Sequence, residues 1–491
     1  MVNLPKYAGI VAGHSMIVNA VTISYTVPSR VPVYATPLDC TPVGISWEFF
    51  MWPSYMTNIT PPMQCVSRIS DIYRKTTPIR VGGTTQDRAT YDPNFHGYIS
   101  YSVANPLDAP NTLIYGPAFW DLISAYGGGT MLGFNRGDDN RTNTYMAVQD
   151  ARTRIPNNLW GIELGNEPDV YLMQDKPDAV SPWNASQEGA DAANWAQGFI
   201  NVWKPNSPIL TAGSYAVAIA DDPEWPNTDY LIHTAYNDTV KNAVKVYVGH
   251  LYAAPPGNTT LAMEMKHSKT VSDLAVFADR VSTAASAERP FILGETNFHP
   301  FDVEMDSTFG AAMVTLDKTL HAVTLGIKRL FYHQGTINQA MFNWWSSNQI
   351  NAPFYGGYFS VLALSGGESI IELDSGDTSY AQYVIYSSGK PTKAVLVNTD
   401  YFSGSGLRSN CTVTLNGLPN REVKAIRMTA PSSDTGTSLV QNGANEPSIG
   451  GQYFSNTDCS SVGTLTHETT DVFQGQASFT VAASEALLLY L

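Results

Sequence analysis

Between residues 43 and 355, short apolar runs alternate with stretches of helical character. The runs are VGISWEFF (43–50), TPIRVGG (77–83), GTMLGFN (129–135), NLWGIELGN (158–166), SPILTAG (207–213), VKVYVGHLY (244–252), RPFILGE (289–295) and GIKRLFYH (326–333). The spacers include 188–203, 270–288 and 308–325, whose patterning predicts amphipathic helices. Eight such runs with helical spacers fit a closed parallel barrel better than an open sheet. The fold class expected is α/β, a (β/α)8 TIM barrel.

After residue 356 the texture changes. AQYVIYSS, KAVLVNT, CTVTLNG and SFTVAASEALLLYL alternate apolar with polar positions and are separated by Gly, Ser, Asn and Asp. Period-two alternation with frequent turn residues predicts an antiparallel β-sandwich. The opening HSMIVNAVTISYTV (14–27) alternates in the same way. Three parts are therefore expected: residues 1–38 supply strands to the sandwich, 39–355 form the catalytic barrel, and 356–491 form the C-terminal β-sandwich domain.

Composition narrows the partners. Hydrophobic residues make up 43% and charged residues 14%, and 28 Lys+Arg against 43 Asp+Glu leave a formal charge of −15. Such a chain repels nucleic acid, anionic lipid and sulfated polyanions, and no basic cluster offsets that field. No segment approaches the roughly 20 apolar residues of a membrane-spanning helix. The N-terminus lacks the charged start and cleavage site of a signal peptide and reads as a mature chain with an added Met. Four cysteines permit three pairings, of which Cys411–Cys459 and Cys40–Cys65 keep each bridge within one end of the chain. Sequons begin at Asn58, Asn140, Asn184, Asn237, Asn258 and Asn410. Together these features predict a secreted glycoprotein; a monomer acting on a carbohydrate substrate is expected.

The chemistry lies where two of the runs end. GIELGNEPDV (161–170) carries Glu163 within an apolar run and then breaks at Gly165-Asn166-Glu167-Pro168. Turn residues alone would end a strand; the carboxylate of Glu167 asks for a partner. FILGETNFHP places Glu295 at the end of the seventh run. In a closed barrel, residues after strands four and seven face each other across the mouth. Two facing carboxyls are what glycoside hydrolysis needs: one protonates the leaving oxygen, the other attacks or activates water. Asn166 is placed to reach the sugar 2-hydroxyl. Glu167 is the expected general acid/base, its proton held by the nearby charge of Glu295. Glu295 is the expected nucleophile, with Tyr252 and His333 as donors that keep it ionised.

GISWEFF, IRVGGTTQD, GIELGNEPD, VYVGHLY, ILGETN and STFGAAMVTLDKTLHAVTLGIKRLFYHQ resemble glycoside hydrolase family 79, the family of β-glucuronidases and heparanase. The resemblance covers nearly the whole chain. It implies a retaining barrel with Glu167 as acid/base, Glu295 as nucleophile and Asn166 on the 2-hydroxyl. It also implies that Tyr252 steadies the nucleophile, that Glu48 contacts sugar hydroxyls and that His333 lies at the site from strand eight. His250 is read as a hydrogen-bonded barrel histidine. Two stretches depart from the family pattern: INQAMFNWW (337–345) has no tyrosine for a glucuronate carboxylate, and NFHPFDVEMD (297–306) is acidic, with Asp302, Glu304 and Asp306 read as solvated loop charges.

The expected activity is release of terminal glucuronic acid from small glucuronides or plant glycans by an exo-acting enzyme. A hydrolase of neutral β-glucosides or β-xylosides is the alternative that those departures leave open. A non-catalytic sugar-binding barrel is the alternative of another class; it predicts loss of one carboxylate, and both are present. The nine histidines show no ligand spacing, and no P-loop or dinucleotide fingerprint occurs, so no metal and no cofactor is expected.

Overall fold

A computed structural model describes residues 21–216, 225–253, 259–299, 303–339 and 342–491. The first strand, β1 (Val21–Thr26), runs parallel to a strand of the C-terminal domain, Val21 opposite Cys411 and Thr26 opposite Asn416. Eight strands then follow in chain order: β2 (Val43–Glu48), β3 (Ile79–Gly82), β4 (Thr130–Phe134), β5 (Leu159–Leu164), β6 (Leu210–Tyr215), β7 (Val244–Leu251), β8 (Phe291–Thr296) and β9 (Leu330–Gln334). Each pairs in parallel with its sequence neighbour, and β9 returns to β2 with Leu330 opposite Val43 and Gln334 opposite Trp47, closing the barrel. The apolar runs reflect this placement: β2, β3, β4 and β8 are buried along their whole length, because one face fills the barrel and the other packs on helices.

The helices build the outer ring, including α1 (Pro61–Tyr73), α2 (Ala185–Trp203), α3 (His267–Leu274), α4 (Phe277–Ser286) and α5 (Phe309–Thr324). Asn184 caps α2 by accepting from the amides of Ser186 and Gln187 at 3.0 and 3.2 Å. Asn140 and Asn237 cap helices in the same way, so three sequon asparagines have a folding role of their own. Helix α5 is buried on every side, lodged between the barrel and the second domain. Against it packs α6 (Pro353–Leu364). The expected boundary at 355/356 falls inside α6: its composition is uniformly apolar, so a change to alternating texture becomes visible only after the helix ends.

The C-terminal domain is a sandwich. One sheet contains β10 (Ser369–Glu372), β11 (Tyr380–Ser387), β12 (Lys390–Asn398), β14 (Glu422–Thr429) and β16 (Glu485–Tyr490); the other is β1 with β13 (Asn410–Asn416) and β15 (Gln476–Ala482). Alternating residues of β13 and β15 point inward, Val413, Leu415, Phe479 and Val481 meeting Val384, Leu396 and Leu487. The N-terminal alternation is thus used in the sandwich over 21–26; residues 14–20 lie outside the described residues.

The cysteines do not pair as expected. Cys65 on α1 is bonded to Cys459 of the C-terminal domain, 394 positions away, with 5.3 Å between Cα atoms. The bridge joins the barrel's first helix to the sandwich, so sequence proximity was no guide. Cys411 points into the sandwich core by the alternation of β13, and Cys40 is exposed; both are free.

Candidate active site

Gly165-Asn166-Glu167-Pro168 is a tight reversal at the end of β5. Gly165 has φ +83°, and a Cβ there would lie 2.3 Å from the Tyr171 hydroxyl. Glu167 itself sits in the left-handed region at φ 52°, a conformation costing a non-glycine residue on the order of 1–3 kcal/mol. It is held by backbone contacts on both sides. The Asn166 amide donates to Asp87 Oδ2 at 2.7 Å, and the Glu167 amide donates to the Ser214 carbonyl at 2.9 Å. Pro168, which has no N–H to satisfy, starts a short 3-10 turn and blocks continuation of the strand. The reversal turns both Asn166 and Glu167 into the mouth.

Arg80 on β3 is the centre of the site. Its side chain is fully buried inside the barrel, and all five N–H groups are engaged. Nε and Nη2 bond to Glu163, the closest contact being 2.6 Å; Nη2 also donates to Asn166 Oδ1 at 2.7 Å. Nη1 donates to Ser46 Oγ at 3.0 Å and to Glu295 Oε2 at 2.6 Å. Glu163 receives a further bond from Ser214 Oγ at 2.9 Å, which satisfies this buried carboxylate. Because Asn166 Oδ1 accepts from Arg80, its amide nitrogen is the end turned toward any ligand.

Glu295 accepts from the Tyr252 hydroxyl at 2.8 Å on the oxygen that Arg80 leaves free, and His333 Nδ1 is 3.7 Å from Oε2. Burial alone would raise this carboxyl; the charges of His333 and Arg80, with the Tyr252 hydroxyl, overcome burial and hold it well below the usual range. Burial would lower His333, but Glu295 and Glu48 raise it above its ordinary value. Glu167 has the opposite surroundings. Burial first, then the Glu295 charge, push its carboxyl up to about 8, against a weaker pull from Arg80 and His333. Its carboxyl pairs with His250 Nδ1 at 3.0 Å, and burial brings that imidazole down to about 4, so it is neutral near pH 6. One oxygen of each carboxyl and a ring nitrogen of His250 all lie within 4.8 Å of one another.

Each of the six anticipated residues is in this cluster or borders it. Glu48 is the most withdrawn: Oε1 accepts from the Thr85 amide and hydroxyl at 2.9 and 2.5 Å, and Oε2 faces His333 Nε2 at 3.3 Å. Phe342 packs against Tyr252 and His333, with ring centroids 5.8 and 6.3 Å apart, where the family pattern has a tyrosine in this stretch. Asp306 is not a solvated charge: it is buried and accepts from the His299 amide at 2.8 Å. It serves the turn after β8, since a backbone N–H in that turn requires an acceptor. The side chains of Asp302 and Glu304 lie outside the described residues.

Arg80, Glu163 and His250 have larger parts in the site than the sequence reading assigned them. The signal was available. A charged or imidazole side chain inside a fully buried barrel strand has no water on either face, so it must turn inward and find a polar partner.

Comparison with known proteins places this geometry. Residues 382–488 match the glycosyl hydrolase family 79 C-terminal beta domain. The crystal structure of a 4-O-α-L-rhamnosyl-β-D-glucuronidase from Fusarium oxysporum 12S superposes with a TM-score of 0.88 at 35% identity, covering 96% of this chain and 100% of that one. The β-glucuronidases of Neurospora crassa and Aspergillus niger are 27% and 26% identical, over 82% of this chain and 80% of each relative. An α-L-arabinofuranosidase from Thermotoga maritima shares the fold at 12% identity and a TM-score of 0.62. With a closed parallel barrel, an appended sandwich and a relative 35% identical along nearly its full length, the chain belongs to glycoside hydrolase family 79 and is a glycosidase.

Proposed function

We propose that the protein is a secreted, monomeric, exo-acting β-glucuronidase that works with retention through a covalent intermediate on Glu295. The observation that carries the mechanism is the closeness of two carboxyls in opposite environments. Oxygens of Glu167 and Glu295 lie within 4.8 Å, whereas inverting pairs stand about 6.5–9.5 Å apart to admit a water. Glu295, kept ionised by Arg80, Tyr252 and His333, attacks the anomeric carbon. Glu167, kept protonated, donates to the glycosidic oxygen as the bond to the aglycone breaks. Once Glu295 is an ester its charge is gone, the main Coulombic support for the Glu167 proton is lost, and Glu167 becomes the base that takes a proton from the incoming water. Attack by that water frees the sugar and restores both groups. Neutral His250 pairs through Nδ1 with Glu167 Oε1 at 3.0 Å, and among the described residues the other carboxyl oxygen of Glu167 faces no such partner. The Asn166 amide nitrogen is aligned for the sugar 2-hydroxyl.

The choice of glucuronide is supported by the names of the Neurospora and Aspergillus relatives. The sugar carboxylate is then bound by groups other than Arg80, whose five N–H groups are all committed. A second reading is supported by the more similar Fusarium protein: a glucuronide carrying an α-L-rhamnosyl group on O4. Two assays test these readings. Side-by-side hydrolysis of p-nitrophenyl β-glucuronide, β-glucoside, β-xyloside and β-galactoside near pH 5 should favour the glucuronide, and equal rates on glucoside would overturn that specificity. Comparing the plain with the 4-O-rhamnosyl glucuronide separates the two readings, since a preferred cap requires a pocket beyond the first sugar.

A further inference from the structure

A second group of ligating side chains, separate from the cluster around Glu167 and Glu295, lies where the barrel meets the sandwich. Helix α5 presents Asp317 and His321, four residues apart and so on one face. Helix α3 begins with His267. From the sandwich come Glu372 at the end of β10 and Asp374 two positions on, together with Tyr383 of β11.

The contacts converge on one carboxylate oxygen. Glu372 Oε1 lies 3.2 Å from His267 Nε2 and 3.1 Å from His321 Nδ1, and one donor atom from each of the three residues falls within a common 4.8 Å sphere of separation. Ligand atoms around a tetrahedral zinc ion, with bonds of about 2.0–2.2 Å, stand roughly 3.3 Å apart. Asp374 Oδ1 is 3.1 Å from the same His267 nitrogen. The far nitrogen of His267 is already oriented: Nδ1 faces both oxygens of Asp317 at 2.9 and 3.0 Å, and Asp317 accepts from the Tyr383 hydroxyl at 3.0 Å. A carboxylate behind a ligating imidazole is the usual outer support of a metal-bound histidine. Charge points the same way. Three carboxylates face two imidazoles, and among the described residues no Lys or Arg forms an ion pair with any of them. His267 is fully buried, while Glu372 retains 17% exposure and leaves a route from solvent.

We propose that His267, His321 and Glu372 form a divalent transition-metal site of the zinc class that pins the β-sandwich to the barrel, with Asp317 positioning His267. The role is structural. An ion there joins α3 and α5 of one domain to β10 of the other, and it is independent of the glycosidase reading.

The test uses the full-length protein, stripped with chelator and dialysed, then titrated with Zn2+ by calorimetry and with Co2+ by visible absorption at neutral pH. One equivalent of Zn2+ per chain, a raised thermal midpoint and the intense d–d absorption of four-coordinate Co2+ are expected. His321→Ala should weaken Zn2+ binding roughly 100-fold, and Asp317→Asn about 10–100-fold, while far-ultraviolet circular dichroism at 25 °C reports that each variant is folded. Glu372→Gln is the second ligand variant should His321→Ala fail to fold, and the wild-type Co2+ spectrum needs no variant. Absence of stoichiometric uptake, an octahedral Co2+ spectrum, or equal uptake by wild type and the ligand variants would overturn the site and leave an ion network held by protons alone.

Discussion

Replacing Tyr252 with phenylalanine isolates the device that keeps Glu295 charged. The substitution deletes one hydroxyl and retains the ring that packs on Phe342 at 5.8 Å. What disappears is an O–H donated to a buried carboxylate at 2.8 Å. A hydrogen bond to a charged group contributes about 1.5–3 kcal/mol, and one pKa unit corresponds to about 1.36 kcal/mol. The Glu295 carboxyl should therefore rise by roughly 1–2 pKa units; because the bond already exists in the free enzyme, kcat/KM should change little on the plateau and fall toward about 10–150-fold only on the acid side, where fewer molecules carry an ionised Glu295. Arg80 at 2.6 Å remains, so the group still ionises below neutrality. The sign follows from the direction of the native shift. A depressed carboxyl lends stability above its unfolded value and loses it as pH falls through the folded value. The variant should thus lose activity at a higher pH on the acid side and show a smaller acid-dependent change in stability. The assay is the pH profile of kcat/KM on an aryl β-glucuronide, beside thermal unfolding at each pH. A large rate loss with an unmoved acid limb would refute the reasoning and assign the hydroxyl to the substrate instead.

Arg80→Met should cost about 3–5 kcal/mol in denaturant unfolding, because Glu163 is left buried without its cation; adding Glu163→Gln should recover part of that loss. On the basic side, kcat/KM should fall as pH rises through about 8, where Glu167 gives up its proton. A raised carboxyl lends stability that is complete below its unfolded value near 4.5 and is lost toward about 8, so Glu167→Gln should flatten the decline of stability across that window. The same variant should slow glucuronides with poor leaving groups far more than activated aryl glucuronides, and equal losses on both would contradict the acid role. Reducing Cys65–Cys459, or replacing both cysteines with serine, should lower stability by about 2–5 kcal/mol, read as a drop in the thermal midpoint.

The barrel is legible in the sequence because its strands are covered on both faces and so appear as unbroken apolar runs; VGISWEFF and FILGE could not lie on an exposed surface. Glu167 and Glu295 are legible because strand ends in a closed barrel converge whatever their separation along the chain. Long-range pairing is not. Cys65 meets Cys459 only after two domains dock, and nothing local to either residue encodes that contact. His267, His321 and Glu372 escape ligand-spacing patterns for the same reason. Arg80 could be placed as buried, but that it spans Glu163, Asn166 and Glu295 at once depends on the barrel's diameter and stagger. Asp306 reads as a loop charge until the turn it completes is seen.

Retention requires that Glu295 become covalently bonded to the sugar. Incubation with a 2-deoxy-2-fluoro-β-glucuronyl fluoride, followed by proteolysis and peptide mass spectrometry, tests it directly. The fluorine slows both steps, and the fluoride leaving group keeps formation faster than breakdown. One glucuronyl unit per chain on the peptide containing Glu295, and none on Glu295→Gln, is the predicted result. Label on Glu167, or steady turnover of the fluoride with inversion and no trapped adduct, would contradict it.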